Sequence, residues 1–390
     1  MKITHIHIER FRGFQNEDFE VGSQLTAIAG QNGTQKSTLL GIVTQTFTLK
    51  PEDPMRAEKP LCGGSYISAF KDKFRLSPIF DRPKGHEWTI SFDIGVDDFT
   101  VESIKRTGDP NVRFWKKGAR QEGDGYISFP TIFLSLKRLV PMAEEAKIIT
   151  DDTLLTPEEL SEFKQLHNKI LIVQTPISSA TTITSKNKQS IGVSTELYDW
   201  NQNSMGQDNL GKIILALFSF KRLHDKYPQQ YKGGILAIDE MDATMYPASQ
   251  VELLKILRKY ASKLNLQILF TTHSMSLLKA MDDLVQEVTK KEETANQAKI
   301  LYLKKVDDKI AIKQGVNFKG IQLDLNVVAE GNNRKKNRIT AYTEDKENIL
   351  FVKAILKSKA FVLDFVDVTL PCSTLMELVT KRVPAFIYPY

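Results

Sequence analysis

Residues Gly30-Gln31-Asn32-Gly33-Thr34-Gln35-Lys36-Ser37-Thr38 lie between an apolar stretch, Leu25 to Ala29, and a segment in which Leu39, Leu40, Ile42 and Val43 recur at helical spacing. A strand, a small-residue loop and a helix in that order are the setting of a phosphate-binding loop, and they commit the chain to an α/β fold. Small residues let successive backbone N–H groups point at phosphate oxygens, and a helix N-terminus favours an anion. A lysine then neutralises β- and γ-phosphate charge, and a Ser or Thr hydroxyl serves Mg²⁺. Lys36 and Ser37 fill those roles, and Gly30 to Thr38 form the cradle. In the GxxxxGK(S/T) pattern glycine precedes the lysine, whereas Gln35 stands here. Its Cβ is expected to crowd the approach to phosphate and to slow catalysis more than binding.

Three further stretches follow in an order that suits the same chemistry. Gly234 to Ile238 is an apolar strand ending in Asp239-Glu240, which offers one carboxylate to Mg²⁺ and the next to an attacking water, so Asp239 is the metal candidate and Glu240 the base. Asn203-Ser204-Met205-Gly206-Gln207 precedes an amphipathic helix carrying Ile213, Ile214 and Leu217, so Ser204, Gly206 and Gln207 form a candidate anion site. Thr271-Thr272-His273-Ser274 ends another apolar strand, where the His273 imidazole can donate a hydrogen bond to a γ-phosphate. Taken singly, each stretch also reads as a strand-end acid pair, a polar helix cap or a histidine satisfied by backbone.

As a set, these stretches resemble the ABC ATPases of the Rad50, SMC and RecF type over roughly residues 1–320, with Ser204 and Gly206 matching the signature motif and His273 the switch histidine. The resemblance implies an ATP- and Mg²⁺-dependent ATPase whose signature completes the site of a second subunit, hence a homodimer or higher oligomer closed around ATP. The short span from Lys36 to Ser204 leaves no room for long coiled-coil arms. Asp239-Glu240-Met241-Asp242-Ala243-Thr244-Met245-Tyr246-Pro247, Asn203 to Asn209, and Phe133-Leu134-Ser135-Leu136-Lys137-Arg138-Leu139 are similar to runs in OLD-family nucleases and in the ATPase subunit of Septu anti-phage systems. That likeness implies an HNH-type nuclease partner and, in the retron-associated versions, a reverse transcriptase with its DNA-linked RNA. Tyr246 stands where many ABC proteins carry a D-loop aspartate.

The expected fold is therefore an ABC-type P-loop core with an antiparallel β flank over residues 88–115 and a helical or loop insertion at about 142–200. Within the insertion, Thr156-Pro157-Glu158-Glu159 announces a helix, and residues 175–195, crowded with Ser, Thr, Lys and Asn, read as a mobile surface loop. The ATPase domain takes residues 1–331 and a basic linker 332–338. Ile339 to Glu347 followed by Ile349, Leu350, Phe351 and Ala354 reads as strand, acidic turn and helix, and resembles the opening of a Toprim unit with Glu344 at the matching acid. No DxD motif follows, so residues 339–390 are read as a truncated or degenerate unit without nuclease activity.

Apolar runs such as Ile213 to Phe218 fall far short of the ~20 residues that span a bilayer, so no membrane association and a cytoplasmic location are expected. Cys62 and Cys372 belong to no metal-binding cluster and read as buried thiols. The balance of 53 Lys plus Arg against 47 Asp plus Glu permits DNA binding without demanding it. The candidates are Arg334 to Arg338 and Lys105, Arg106, Arg113, Lys116 and Lys117; a solvated basic face accounts for them equally, since no aromatic stacking platform is evident beyond Trp115 and Phe114. An ATP-gated DNA-binding scaffold with little turnover, or a RecF- or OLD-like repair ATPase, remains open beside the defence ATPase.

Overall fold

The computed structural model describes residues 1–67, 70–77, 79–93, 95–105, 112–118, 125–139, 148–151, 154–185, 189–197, 199–330 and 339–380. Contacts divide the chain into two compact units, Met1–Gln322 and Leu323–Tyr390. Arg106 and the basic run at Arg334 to Arg338 lie outside the described residues.

The first unit opens with β1 (Ile3–Phe11), β2 (Phe14–Glu20) and β3 (Leu25–Gly30), which feeds α1 (Lys36–Gln45). The Pro- and Gly-rich excursion holds β4 (Phe47–Thr48) and α2 (Phe70–Lys73) before β5 (Glu87–Phe92), β6 (Phe99–Lys105) and β7 (Val112–Lys116). Alternating burial along β6 is the mark of a strand with one covered face. These strands form an antiparallel sheet in the order β2-β1-β5-β6-β7, the expected flank. Trp88 packs edge-on against Phe11 and Phe114, whose own rings are tilted to each other, and Phe114 is 3% exposed. Phe114 is thus core and offers no stacking surface to a base, because its strand directs it inward. Lys116 lies over the Phe99 ring and Lys117 pairs with Glu87.

The chain continues through β8 (Ile127–Ser128), β9 (Thr131–Leu134), β10 (Ile149–Asp151), α3 (Pro157–Leu171), β11 (Ser179–Thr184), β12 (Gln189–Ser194) and α4 (Met205–Lys226). Thr156 and Glu159 close the capping box that starts α3. The expected loop at 175–195 is instead the β11–β12 hairpin, antiparallel throughout and paired to β10. Ala180, Ile183, Ile191 and Val193 are buried in it. A Ser/Thr-rich composition reads as a loop, but β-branched residues suit a pleated surface once a neighbouring element covers one face.

Next come β13 (Gly234–Ile238), α5 (Pro247–Lys263), β14 (Leu266–Thr272), α6 (Met275–Val288), β15 (Ala298–Val306), β16 (Lys309–Gln314) and α7 (Phe318–Glu330). A six-stranded sheet runs β16-β15-β3-β14-β13-β9, parallel except at the β15–β16 edge. Every residue of β3, β13 and β14 is buried, as expected for central parallel strands covered on both faces. Eight of the ten residues of α1 are also buried, so this helix needs cover all round. It finds it in one continuous core: Leu39, Leu40, Ile42 and Val43 join Ile6, Ile8 and Trp88 of the flank and Ile235 and Leu269 of the parallel sheet. The loop that starts α1 is thereby anchored on both sides.

The second unit contains β17 (Ile339–Thr343), α8 (Lys346–Leu356), β18 (Leu363–Thr369) and α9 (Cys372–Thr380), with the two strands parallel. The strand, turn and helix follow the sequence reading, and Asp345 caps α8 by accepting from the Asn348 N–H at 2.7 Å. Glu344 is exposed at the turn. Cys62 is buried, but Cys372 is exposed at the start of α9, against the expectation of two buried thiols. Among the described residues no helix is long and apolar enough to cross a membrane.

Candidate functional site

Strand order builds the site. The phosphate-loop strand β3 and the acid strand β13 flank β14, so their C-terminal ends, with His273 just past β14, open at one edge of a parallel sheet. In such sheets that edge is where ligands bind.

Lys36 begins α1 and is 7% exposed. Its Nζ donates to Gly30 O at 3.1 Å and Gln31 O at 2.9 Å, folding the side chain back over the loop. Burial pulls its pKa below the ordinary lysine value, while Glu240, Asp239 and Asp242 oppose the shift. Ser37 Oγ donates to Asp239 Oδ1 at 2.8 Å, joining the loop to the acid strand across 202 residues of chain. Thr34 Oγ1 donates to Gln31 O at 2.8 Å and tightens the loop, Gly33 takes a positive φ of 80°, and Thr38 Oγ1 accepts from Arg12 Nη1 at 3.3 Å. Asn32 and Gly33 are exposed or half-exposed at the loop tip. The first N–H groups of α1 have no intrahelical partner and are available to an anion.

Gln35 occupies the left-handed region at φ 61°, ψ 31°, a conformation that favours glycine. Its side chain turns toward the β1–β2 connection, where Oε1 accepts from the Gly13 N–H at 3.4 Å.

Asp239 is 4% exposed, and its Oδ1 also accepts from Thr271 Oγ1 at 2.7 Å. The Glu240 N–H donates to the same Thr271 hydroxyl at 2.6 Å. His273 is exposed, and its backbone N–H donates to Asp242 Oδ1 at 3.3 Å. Burial and then the positive Lys36 hold the imidazole below its ordinary pKa against three nearby acids, so it is neutral at pH 7. Ser204 caps α4: its Oγ accepts from the Gln207 N–H at 3.3 Å and Gln207 Oε1 accepts from the Ser204 N–H at 2.8 Å. Gly206 packs on the acid loop, since a Cβ there would lie 2.5 Å from Thr244 O. Tyr246 caps α5 without a side-chain bond to that helix, and its hydroxyl donates to Leu171 O at the end of α3.

The structure thus brings Lys36, Ser37, Asp239, Glu240 and His273 to one edge and seats the Ser204–Gln207 turn against the acid loop. Sequence reasoning gave no role to Thr271, Asp242, Arg138 or Asn209. A hydroxyl within an apolar strand and an arginine within Phe133 to Leu139 were the available signals. A serine hydroxyl beside a carboxylate suits a hard cation that takes few protein ligands and keeps phosphate and water oxygens, as Mg²⁺ does.

The AAA ATPase domain family (AAA_15) matches residues 136–278, a span that holds Arg138, Ser204, Asp239, Glu240 and His273. No curated protein matches the sequence. The chain is similar to the SMC head domain from Thermotoga maritima, with 14% identity, a TM-score of 0.44, and 81% of this chain and 100% of that chain covered. It is also similar to an Smc head bound to the C-winged helix domain of ScpA, with 15% identity, a TM-score of 0.48, and coverage of 83% and 100%. A third is an Smc head domain with an extended coiled coil bound to the C-terminal domain of ScpA derived from Pyrococcus furiosus, with 12% identity, a TM-score of 0.45, and coverage of 84% and 99%.

Proposed function

We propose that the chain is a Mg·ATP-dependent ATPase of the compact ABC type, working as a dimer closed around nucleotide and controlling a partner nuclease in prokaryotic anti-phage defence. The observation that carries the ATPase reading is the 2.8 Å bond between Ser37 Oγ and Asp239 Oδ1, with Glu240 next in sequence and His273 just past the end of the intervening strand. In this reading Lys36 exchanges the Gly30 and Gln31 carbonyls for β- and γ-phosphate oxygens, and the N–H groups of the loop and of the first turn of α1 cradle the phosphates. Ser37 and Asp239 would hold Mg²⁺, which neutralises phosphate charge. Glu240 takes the proton of the attacking water, and the neutral His273 donates to the γ-phosphate. The Ser204–Gln207 turn of a second copy offers the N-terminal end of α4 to the same nucleotide, so an isolated chain turns over slowly.

The ATPase assignment covers residues 1–331, with 332–338 as linker and 339–390 as a Toprim-like remnant. An HNH-type nuclease and a reverse transcriptase with its DNA–RNA product enter through the Septu and retron resemblance, and DNA through the basic residues of the sequence. A cytoplasmic location goes with those partners. The test is Mg²⁺-dependent ATP turnover of the full chain beside Lys36→Ala and Glu240→Gln, with molecular mass measured with and without ATP. Turnover lost in both variants, with ATP-dependent dimerisation, is the expected result. Tight binding without wild-type turnover sinks the hydrolysis reading and favours the ATP-gated scaffold, which the non-glycine Gln35 and the Tyr246 D-loop position motivate.

A further inference from the structure

Glu240 has a φ of 48° although it is not glycine. A side chain in this region costs about 1–3 kcal/mol and persists only where the surroundings impose it. Here both flanking peptide groups are held. The N–H donates to Thr271 Oγ1 at 2.6 Å, and the C=O accepts from Arg138 Nη2 at 2.7 Å.

Arg138 lies 102 residues before Glu240, on the 3₁₀ turn after β9, and is 3% exposed. Its Nη1 donates to Leu134 O at 3.2 Å and Ser135 O at 3.1 Å, and its Nε to Asn209 Oδ1 at 2.7 Å. All four acceptors are carbonyl or amide oxygens, so the guanidinium is used as a rigid fork and not as one half of an ion pair. Burial lowers its pKa to about 10, with Asp239, Glu240 and Asp242 opposing, and it stays charged at neutral pH. Asn209, fully buried on α4, completes the link: its Nδ2 donates to Ala243 O at 3.0 Å. Gly206, one turn earlier on α4, presses on Thr244 O. The first turns of α4 therefore grip the loop from Glu240 to Thr244 at three carbonyls, directly at two and through Arg138 at the third.

We infer that Arg138, braced by Asn209, is a positioning residue that holds the Glu240 backbone in its left-handed conformation and ties that carboxylate to the N-terminal turn of α4. The inference deepens the proposed function and rests on its reading of Glu240 as the base. Any shift of the α4 turn when it engages nucleotide reaches Glu240 through two side chains, Asn209 and Arg138. Lysine cannot replace the arginine, because a single nitrogen does not reach both Glu240 O and Asn209 Oδ1 in the arginine's planar geometry.

The test uses the full chain carrying Arg138→Lys or Asn209→Ala. Hydrogen–deuterium exchange of the peptide spanning residues 239–245 is measured with Mg·ATP affinity and steady-state turnover. Losing one charge-assisted bond is worth about tenfold or more in local opening, so exchange of this peptide rises about tenfold in Arg138→Lys. Peptides from α1 and β15 stay at wild-type exchange, the Mg·ATP dissociation constant changes less than about threefold, and turnover falls about thirtyfold. Asn209→Ala moves the same quantities less. Unchanged exchange at 239–245 overturns the inference. Exchange raised equally across α1 and β15 also overturns it, because Arg138 is then a general stabiliser. Wild-type protein that binds ATP without turning it over removes the hydrolysis reading, while the exchange comparison still decides whether Arg138 sets the Glu240 backbone.

Discussion

Replacing Thr271 separates two accounts of why that residue is there. It is fully buried on β14, its hydroxyl donates to Asp239 Oδ1 at 2.7 Å, and it accepts from the Glu240 N–H at 2.6 Å. Thr271→Val keeps the branched shape and opens no cavity, but it leaves the part-buried Glu240 N–H without that partner and strips a hydrogen bond from Asp239. An orphaned buried donor costs about 1–3 kcal/mol and a bond to a charged group about 1.5–3 kcal/mol. With roughly 1 kcal/mol returned by the added apolar group, the net loss is about 3 kcal/mol. Thr271→Ser keeps the hydroxyl and loses one methyl, about 1 kcal/mol. The predicted order of stability is Thr, then Ser, then Val, whereas apolar burial alone puts Val above Ser. Urea unfolding followed by tryptophan fluorescence reads the difference, because Trp88, Trp115 and Trp200 all lie in the first compact unit. A valine variant as stable as the serine variant refutes the hydroxyl bridge.

Three other outcomes are expected. Gln35→Gly relieves a left-handed side chain, worth about 1 kcal/mol, but loosens the unfolded chain by a similar 0.4–1 kcal/mol, so stability stays within about 0.5 kcal/mol of wild type. Nucleotide titration of that variant should give equal or tighter binding, and a tenfold loss refutes the idea that the glutamine adopts the glycine conformation at a cost. Gly206→Ala drives a Cβ against Thr244 O at 2.5 Å. It should cost about 1–3 kcal/mol and weaken ATP-dependent dimerisation, measured as mass in solution; unchanged dimerisation contradicts the packing argument. His167 is 2% exposed and its pKa is lowered by burial to about 4 from 6.5. The unfolded chain binds this proton first as pH falls, so the stability contributed is present above pH 6.5 and lost toward pH 4, by about 3 kcal/mol in all. The stability difference between wild type and His167→Met should move by that amount across the window, and a flat difference rejects the assignment.

Much of the candidate site was readable because its signals are local. Leu25 to Gly30 and the helix from Lys36 announce themselves by apolar pattern, and the Thr156–Glu159 and Ser204–Gln207 capping boxes each close within four residues. Two side chains so near in sequence meet whatever the rest of the chain does. The hairpin of β11 and β12 escaped because Ala180, Ile183, Ile191 and Val193 are buried among serines and threonines, and β10, well before it in the chain, and α4, after it, pack against its strands. That Phe114 is core, while Trp115 beside it is only half-buried, follows from the pleat of a strand with one covered face.

The sequence by itself determined where the helices at Lys36 and Pro157 begin and the loop chemistry of Lys36 and Ser37. Only the tertiary structure decided that the strand leading to His273 lies between the phosphate-loop and acid strands, that Thr271 serves Asp239 and Glu240 together, and that Arg138 holds a carbonyl 102 residues away. The reason is range. Propensity and capping act over a turn or two, whereas strand order and buried polar pairing are set by which distant segments share a core.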